Sequence, residues 1–133
     1  MFKYVKFTKV ETVDTVLEFK GGDDVVKVNH FDVDVVSIES VNIADIDALI
    51  ALQPAEINCV EIAQAEFKSL VTNSAQLNRI RDVVKDEIAK KYTPADEIAM
   101  LKRAVDDDKR VAYNAYVSEC LAVGYGLKAD IGY

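Results

Sequence analysis

His30, Asp32 and Asp34 are the residues whose types and spacing come nearest to chemistry. On an unbroken strand alternate side chains share a face, so one histidine and two carboxylates would project together, the layout of a small metal site. The same alternation has a plainer use, because Phe31, Val33 and Val35 fill the opposite face and leave a wet one behind. The chain has one histidine and no Cys or His cluster to complete a tight site, so no metal is assigned and these three remain the candidates. Cys59 and Cys120 supply thiols, and covalent catalysis would need a base such as His30 beside one of them. Both sit among apolar residues without a catalytic flanking signature, far apart and with no Cys-x-x-Cys spacing; they are expected to be reduced core thiols, not a disulfide. Gly21-Gly22 follows a strand pattern as a phosphate loop would, but Asp23 and Asp24 repel the phosphate that such a loop holds. No catalytic residue and no cofactor is assigned.

Tyrosine is the more informative residue. Tyr92, Tyr113, Tyr116, Tyr125 and Tyr133 crowd the C-terminal part while Tyr4 stands apart. Large, nearly rigid side chains with a polar tip suit contact surfaces, and they also suit a core whose hydroxyls reach its rim. Tyr113 and Tyr116 fit a packing role best. Tyr125, Tyr133, Tyr116 and Arg110 are the candidates for contacting a partner.

The elements that must position these residues change character along the chain. Residues 1–41 are rich in Val, Phe, Thr and Ile, which predicts antiparallel strands near 2–10, 14–20, 24–30 and 33–40. Leu17 and Phe19 before the glycines and Val26 and Val28 after them predict a hairpin turning at Gly21-Gly22-Asp23-Asp24. Val36 and Ile38 take the parity opposite to Val33 and Val35, which suggests a bulge or a change of neighbour near Val35. A short helix follows through Ala44–Leu52, capped by Asn42 and stopped by Pro54. Ile57–Ile62 is ambiguous, apolar and β-branched but short; its residues favour a strand, which would be the last of the sheet. Ala63–Val71 is helical with Phe67, Leu70 and Val71 facing in.

Ser74 caps the next helix, with Leu77, Ile80, Val84 and Ile88 on one face up to Tyr92. Thr93-Pro94-Ala95-Asp96-Glu97 has the hydroxyl, proline and acids of a helix N-terminus, and Ile98, Leu101 and Val105 continue the buried stripe. One acid of Asp106-Asp107-Asp108 caps a last helix that buries Tyr113, Tyr116, Val117, Cys120 and Leu121. Gly124 and Gly126 are expected to loosen its end, leaving 127–133 as a short tail with docking and fraying both open to it. The sum is an α+β fold: an N-terminal antiparallel sheet packed against a C-terminal layer of three to four helices. The division falls at 1–62 (β-rich, with one short helix) and 63–133 (helical), within one compact domain.

Composition limits the functions open to such a fold. The net charge is −7 over 133 residues. Residues 1–62 hold 12 acids against 5 lysines, whereas residues 63–133 are balanced and carry all four arginines. Neither part has the basic surplus that phosphate backbones require, so nucleic acid is not an expected partner. No apolar run reaches the roughly 18 residues of a membrane span, and the first residues alternate lysine with apolar side chains as a strand does, unlike a signal peptide. A cytoplasmic protein is expected. The acidic first half and the arginine-bearing second half suggest self-association.

Two segments carry a family resemblance: Tyr92-Thr-Pro-Ala-Asp-Glu-Ile-Ala-Met-Leu101 and Ala112-Tyr-Asn-Ala-Tyr-Val-Ser-Glu-Cys120. This region resembles the helical C-terminal parts of small phage and prophage proteins encoded among tail or virion genes. The resemblance implies a non-enzymatic assembly or accessory role, in the host cytoplasm or the virion. The alternative is a small-molecule-binding protein or minor enzyme using a pocket between sheet and helices near His30.

Overall fold

The computed structural model describes residues 2–21, 28–39 and 45–133. In chain order the elements are β1 Phe2–Lys6, β2 Val10–Glu11, β3 Val16–Leu17, β4 Val28–His30, β5 Val35–Glu39, α1 Ile46–Ala51, a 3-10 turn Ala55–Ile57, β6 Val60–Ile62, α2 Gln64–Val71, α3 Ala75–Ala89, α4 Pro94–Leu101 and α5 Asp108–Asp130. The fold is α+β, with an antiparallel sheet and C-terminal helices. The chain forms two compact units, residues 1–77 with 130–133, and residues 78–129.

In the first unit the sheet order is β4-β5-β1-β6. β1 pairs with β5 from Phe2↔Glu39 to Lys6↔Val35, and with β6 through Tyr4↔Ile62. One face carries Tyr4, Val35 and Ile62, which pack with Phe31, with Phe67 and Val71 of α2, and with Leu77. The Tyr4 and Phe67 rings stack with centroids 4.4 Å apart, and Phe31 meets Phe67 edge-on at 5.2 Å. The other face carries Val5, Val36 and Ile38, packed with Phe7, Phe19, Leu49 of α1 and Ile57. Both faces are therefore covered, and the parity change at Val35–Ile38 is the apolar run of a strand buried on both sides. A turn at Asp32–Asp34 precedes β5, with Asp34 in the left-handed region at φ 55°, so the strand expected over 33–40 begins at Val35.

Other boundaries differ from the sequence reading for local reasons. The strand expected over 2–10 ends at Lys6, after which Phe7 N donates to Asp34 O and Thr8 N to Ile57 O. The strand expected over 14–20 is paired only at Val16–Leu17, with β2. From Gly22 on, the turn expected at Gly21–Asp24 lies outside the described residues, as does Asn42. Asp45 caps α1, accepting from Asp47 N. Ile57–Ile62 divides into the end of a 3-10 turn, a left-handed Asn58 at φ 49° and the edge strand β6. Leu70 is 41 % exposed, not turned inward with Phe67 and Val71.

The last residues dock instead of fraying. The Tyr4 hydroxyl donates to Gly132 O at 2.7 Å, and the Ser37 hydroxyl donates to Ile131 O at 2.6 Å. Gly132 has φ +87°, which strains any other residue, and a β-carbon there would stand 3.0 Å from the Phe2 ring, which would have to shift by a few tenths of an ångström to admit it.

In the second unit, Thr93 and Asp96 form a reciprocal capping box at the start of α4, with Asp96 N donating to Thr93 Oγ1 and Thr93 N to Asp96 Oδ2. The stripe expected to be buried is exposed: Ile98 and Leu101 are each 57 % exposed, and Val105 is 74 %. α4 instead turns Glu97 and Met100 toward the unit, both half-buried. Asp107 Oδ1 caps α5 by accepting from Lys109 N and Arg110 N. α5 continues through Gly124 and Gly126 to Asp130, where the sequence suggested a loosened end. Tyr113 and Cys120 are buried as expected, whereas Leu121 is 40 % exposed. Gly124 is buried against α3, where a β-carbon would stand 2.6 Å from Val84 Cγ2.

That contact yields a pair of opposite outcomes. Gly124→Val is expected to destabilise by about 1–3 kcal/mol through overpacking. Gly126→Ala, with no atom within 4 Å of its β-carbon, is expected to stabilise by up to about 1 kcal/mol. Urea midpoints that move together for the two variants would show the α3–α5 approach to be wrong.

Candidate functional site

The metal candidates do not share a strand face. His30 ends β4 and is exposed. Asp32, in the turn, accepts from Ala75 N through both carboxylate oxygens at 3.2 Å, a negative charge at the start of α3 beside Ser74, whose Oγ accepts from Leu77 N. Asp34 accepts from Lys9 N at 3.1 Å. The unbroken strand that would align them is interrupted, and two of the three carry backbone capping duties. Among the described residues no group of three or more His, Cys, Asp or Glu is placed to hold a metal ion. Cys59 and Cys120 are both free thiols; Cys120 is buried, and partial burial pushes the Cys59 thiol up, away from the thiolate form.

The tyrosines separate by role. Tyr92 meets Tyr113 edge-on at 5.0 Å and Tyr116 at 5.7 Å. The Tyr113 hydroxyl donates to Glu97 Oε1 at 2.7 Å, and the Tyr116 hydroxyl donates to Glu87 O. Lys91 Nζ lies 4.9 Å from the centroid of the Tyr116 ring. This cluster ties α3, α4 and α5 together, and Tyr116 is a half-buried member of it. Tyr133 packs against the core of the sheet unit with Lys68 Nζ 5.2 Å from its ring centroid. Arg110 Nη1 donates to Arg103 O at 2.8 Å and Leu101 O at 3.4 Å, covering carbonyls at the end of α4. Of the four partner candidates, Tyr125 is the open one, at 65 % exposed.

Tyr125 lies in a groove of about 250 Å³ between α3 and α5. Ile80, Val84, Leu121 and Gly124 form its apolar lining with Tyr125. Arg81, Lys85 and Lys128 complete it, so every charged residue of the lining is a cation. Lys128 Nζ lies 5.9 Å from the Tyr125 ring centroid, and Arg81 donates to Asn78 Oδ1. In the sheet unit a smaller groove of about 200 Å³ lies beside β3 and the end of α1. There the Gln53 amide accepts from Lys20 N and donates to Lys20 O, taking the place of a neighbouring strand.

The sequence reading missed the tip of the β2–β3 hairpin. Thr12 N donates to Thr15 O at 2.8 Å, Thr15 N donates to Thr12 Oγ1 at 3.0 Å, and the two hydroxyls lie 2.7 Å apart. This closed turn holds Val13 fully in solvent, with Asp14 beside it also exposed. The paired threonines flanking Val13-Asp14 were the available signal. Comparison with protein-family models, with curated proteins and with solved structures finds no match. No helix among the described residues is long and apolar enough to cross a membrane.

The bond to Glu97, then burial, raises the ionisation of Tyr113 above its ordinary value near 10. A raised value means that this bond's contribution to stability is fully present below the unfolded tyrosine pKa and is lost as pH rises through the folded one. Glu97→Gln is expected to bring the Tyr113 titration, followed by NMR of ring-labelled tyrosine, back toward the ordinary value. An unchanged titration would mean that Glu97 does not hold the hydroxyl.

Proposed function

We propose that this chain is a non-enzymatic interaction or assembly protein. It belongs in this reading with the phage and prophage structural or accessory proteins that Tyr92–Cys120 resembles, working in the host cytoplasm or the virion. The observation that carries the interaction part is the outward side of α4. Ile98 and Leu101, one turn apart and so on one face, are both more than half exposed, and Val105, in the connection that follows the helix, is exposed as well. Apolar side chains grouped on a surface in this way favour a protein contact, since their exposure to water carries a cost that a partner removes. Of the polar residues of the same helix, Glu97 is committed inside the unit to the Tyr113 hydroxyl and Asp96 to the capping box with Thr93, so Ile98 and Leu101 are what α4 offers a partner.

Co-purification of the tagged chain with proteins encoded beside it checks this. The wild type is expected to retain a partner that Ile98→Asp with Leu101→Asp releases, while circular dichroism and the urea midpoint stay near wild type. Retention unaffected by the double substitution, or no retained partner from any neighbour, would count against the reading.

A further inference from the structure

The structure carries a projecting feature and a receiving one whose chemistries match. Val13 stands wholly outside the fold, on a turn fixed by the Thr12–Thr15 hydrogen bonds, with the Asp14 carboxylate next to it. The α3–α5 groove is apolar inside and its charged lining residues, Arg81, Lys85 and Lys128, are all cations. We infer that the Val13–Asp14 tip of one copy of this chain inserts into the α3–α5 groove of a second copy, giving head-to-tail self-association.

The fit follows from simple terms. A valine at full exposure gains from burial among Ile80, Val84 and Leu121, where the groove offers carbon and no carboxylate. Asp14 next to it then faces Lys85, the exposed cation of the lining, with the half-buried Arg81 and Lys128 adding positive charge around it, a pairing that steers the approach and rejects the reverse one. Glu11 contributes less, because Lys9 already pairs with it at 3.1 Å. The turn is held before binding, so little conformational freedom is lost on insertion. Tip and groove are different surfaces, which makes the contact heterologous: each copy presents both halves, and association continues beyond a dimer unless a ring closes. A contact built on one apolar side chain and a few charges at a groove open to solvent is weak and salt-sensitive.

The inference rests on the interaction reading but uses surfaces other than α4. A failed co-purification leaves it standing, and its own failure leaves the α4 contact standing. Sedimentation velocity on the full chain over a concentration series at low salt is the test. The wild type is expected to form species above the dimer that dissolve as salt is raised. Val13→Asp and Lys85→Glu with Lys128→Glu are each expected to weaken association about tenfold or more, the loss of one buried valine or its charged surround. Because the tip variant keeps its groove and the groove variant keeps its tip, an equal mixture of the two is expected to give dimers that grow no further. A wild type that stays monomeric at about 1 mM protein in low salt overturns the inference. So do oligomers that survive Val13→Asp, or a mixture that assembles no better than either variant alone.

Discussion

Because Val35, Val36, Ser37 and Ile38 are all withdrawn from water, β5 obliges the chain to build a cover on each side of the sheet. Phe67 and Val71 close one side, and Phe19, Leu49 and Ile57 the other. The arrangement also sets a polar demand, since Ser37 is fully buried and its hydroxyl must find an acceptor. Ile131 O supplies it, and Asn29 Nδ2 donates to the Ser37 hydroxyl oxygen at 3.2 Å. Residues 131 and 132 are therefore part of the sheet's hydrogen-bond economy, which explains why they are held against it.

Much of this was legible where a local signal coincided with the final environment. Thr93-Pro94-Ala95-Asp96 specified its helix start because capping is decided within four residues, and Ser74 did so for the same reason. Tyr113 and Cys120 were legible because their spacing matches one helix face. The errors occur where the deciding partner is distant in sequence. Val35 looked like one member of an alternating strand because nothing nearby reveals that the opposite face is also covered. Gly124 looked like a helix breaker because Val84, forty residues earlier, is what makes a glycine necessary there. The metal candidates failed to align because Asp34 adopts a left-handed backbone, which aspartate tolerates and periodicity does not register.

α4 is the instructive case. Its hydrophobic spacing pointed Ile98 and Leu101 inward, and a periodic stripe usually does mark the buried side. The helix is turned so that Glu97, bonded to Tyr113, and the half-buried Met100 face in while the apolar pair faces out. Reading the site therefore required the orientation of the helix as well as its existence. The candidates chosen by residue type divide accordingly: Tyr116, Tyr133 and Arg110 are engaged within the chain, and Tyr125 alone opens onto a groove.

The Tyr4–Gly132 bond joins residues 128 apart in sequence, and Ser37–Ile131 joins residues 94 apart. The ties within the helical unit are short by comparison, 16 residues for Tyr113–Glu97 and 29 for Tyr116–Glu87. Closing a long loop costs entropy before any contact repays it, and chains rich in distant pairings fold slowly for that reason. The two units thus run on different clocks. Helices α3 to α5 are tied by nearer partners, while the sheet keeps the buried hydroxyls of Tyr4 and Ser37 without their acceptors until the C-terminal residues have come round to meet them.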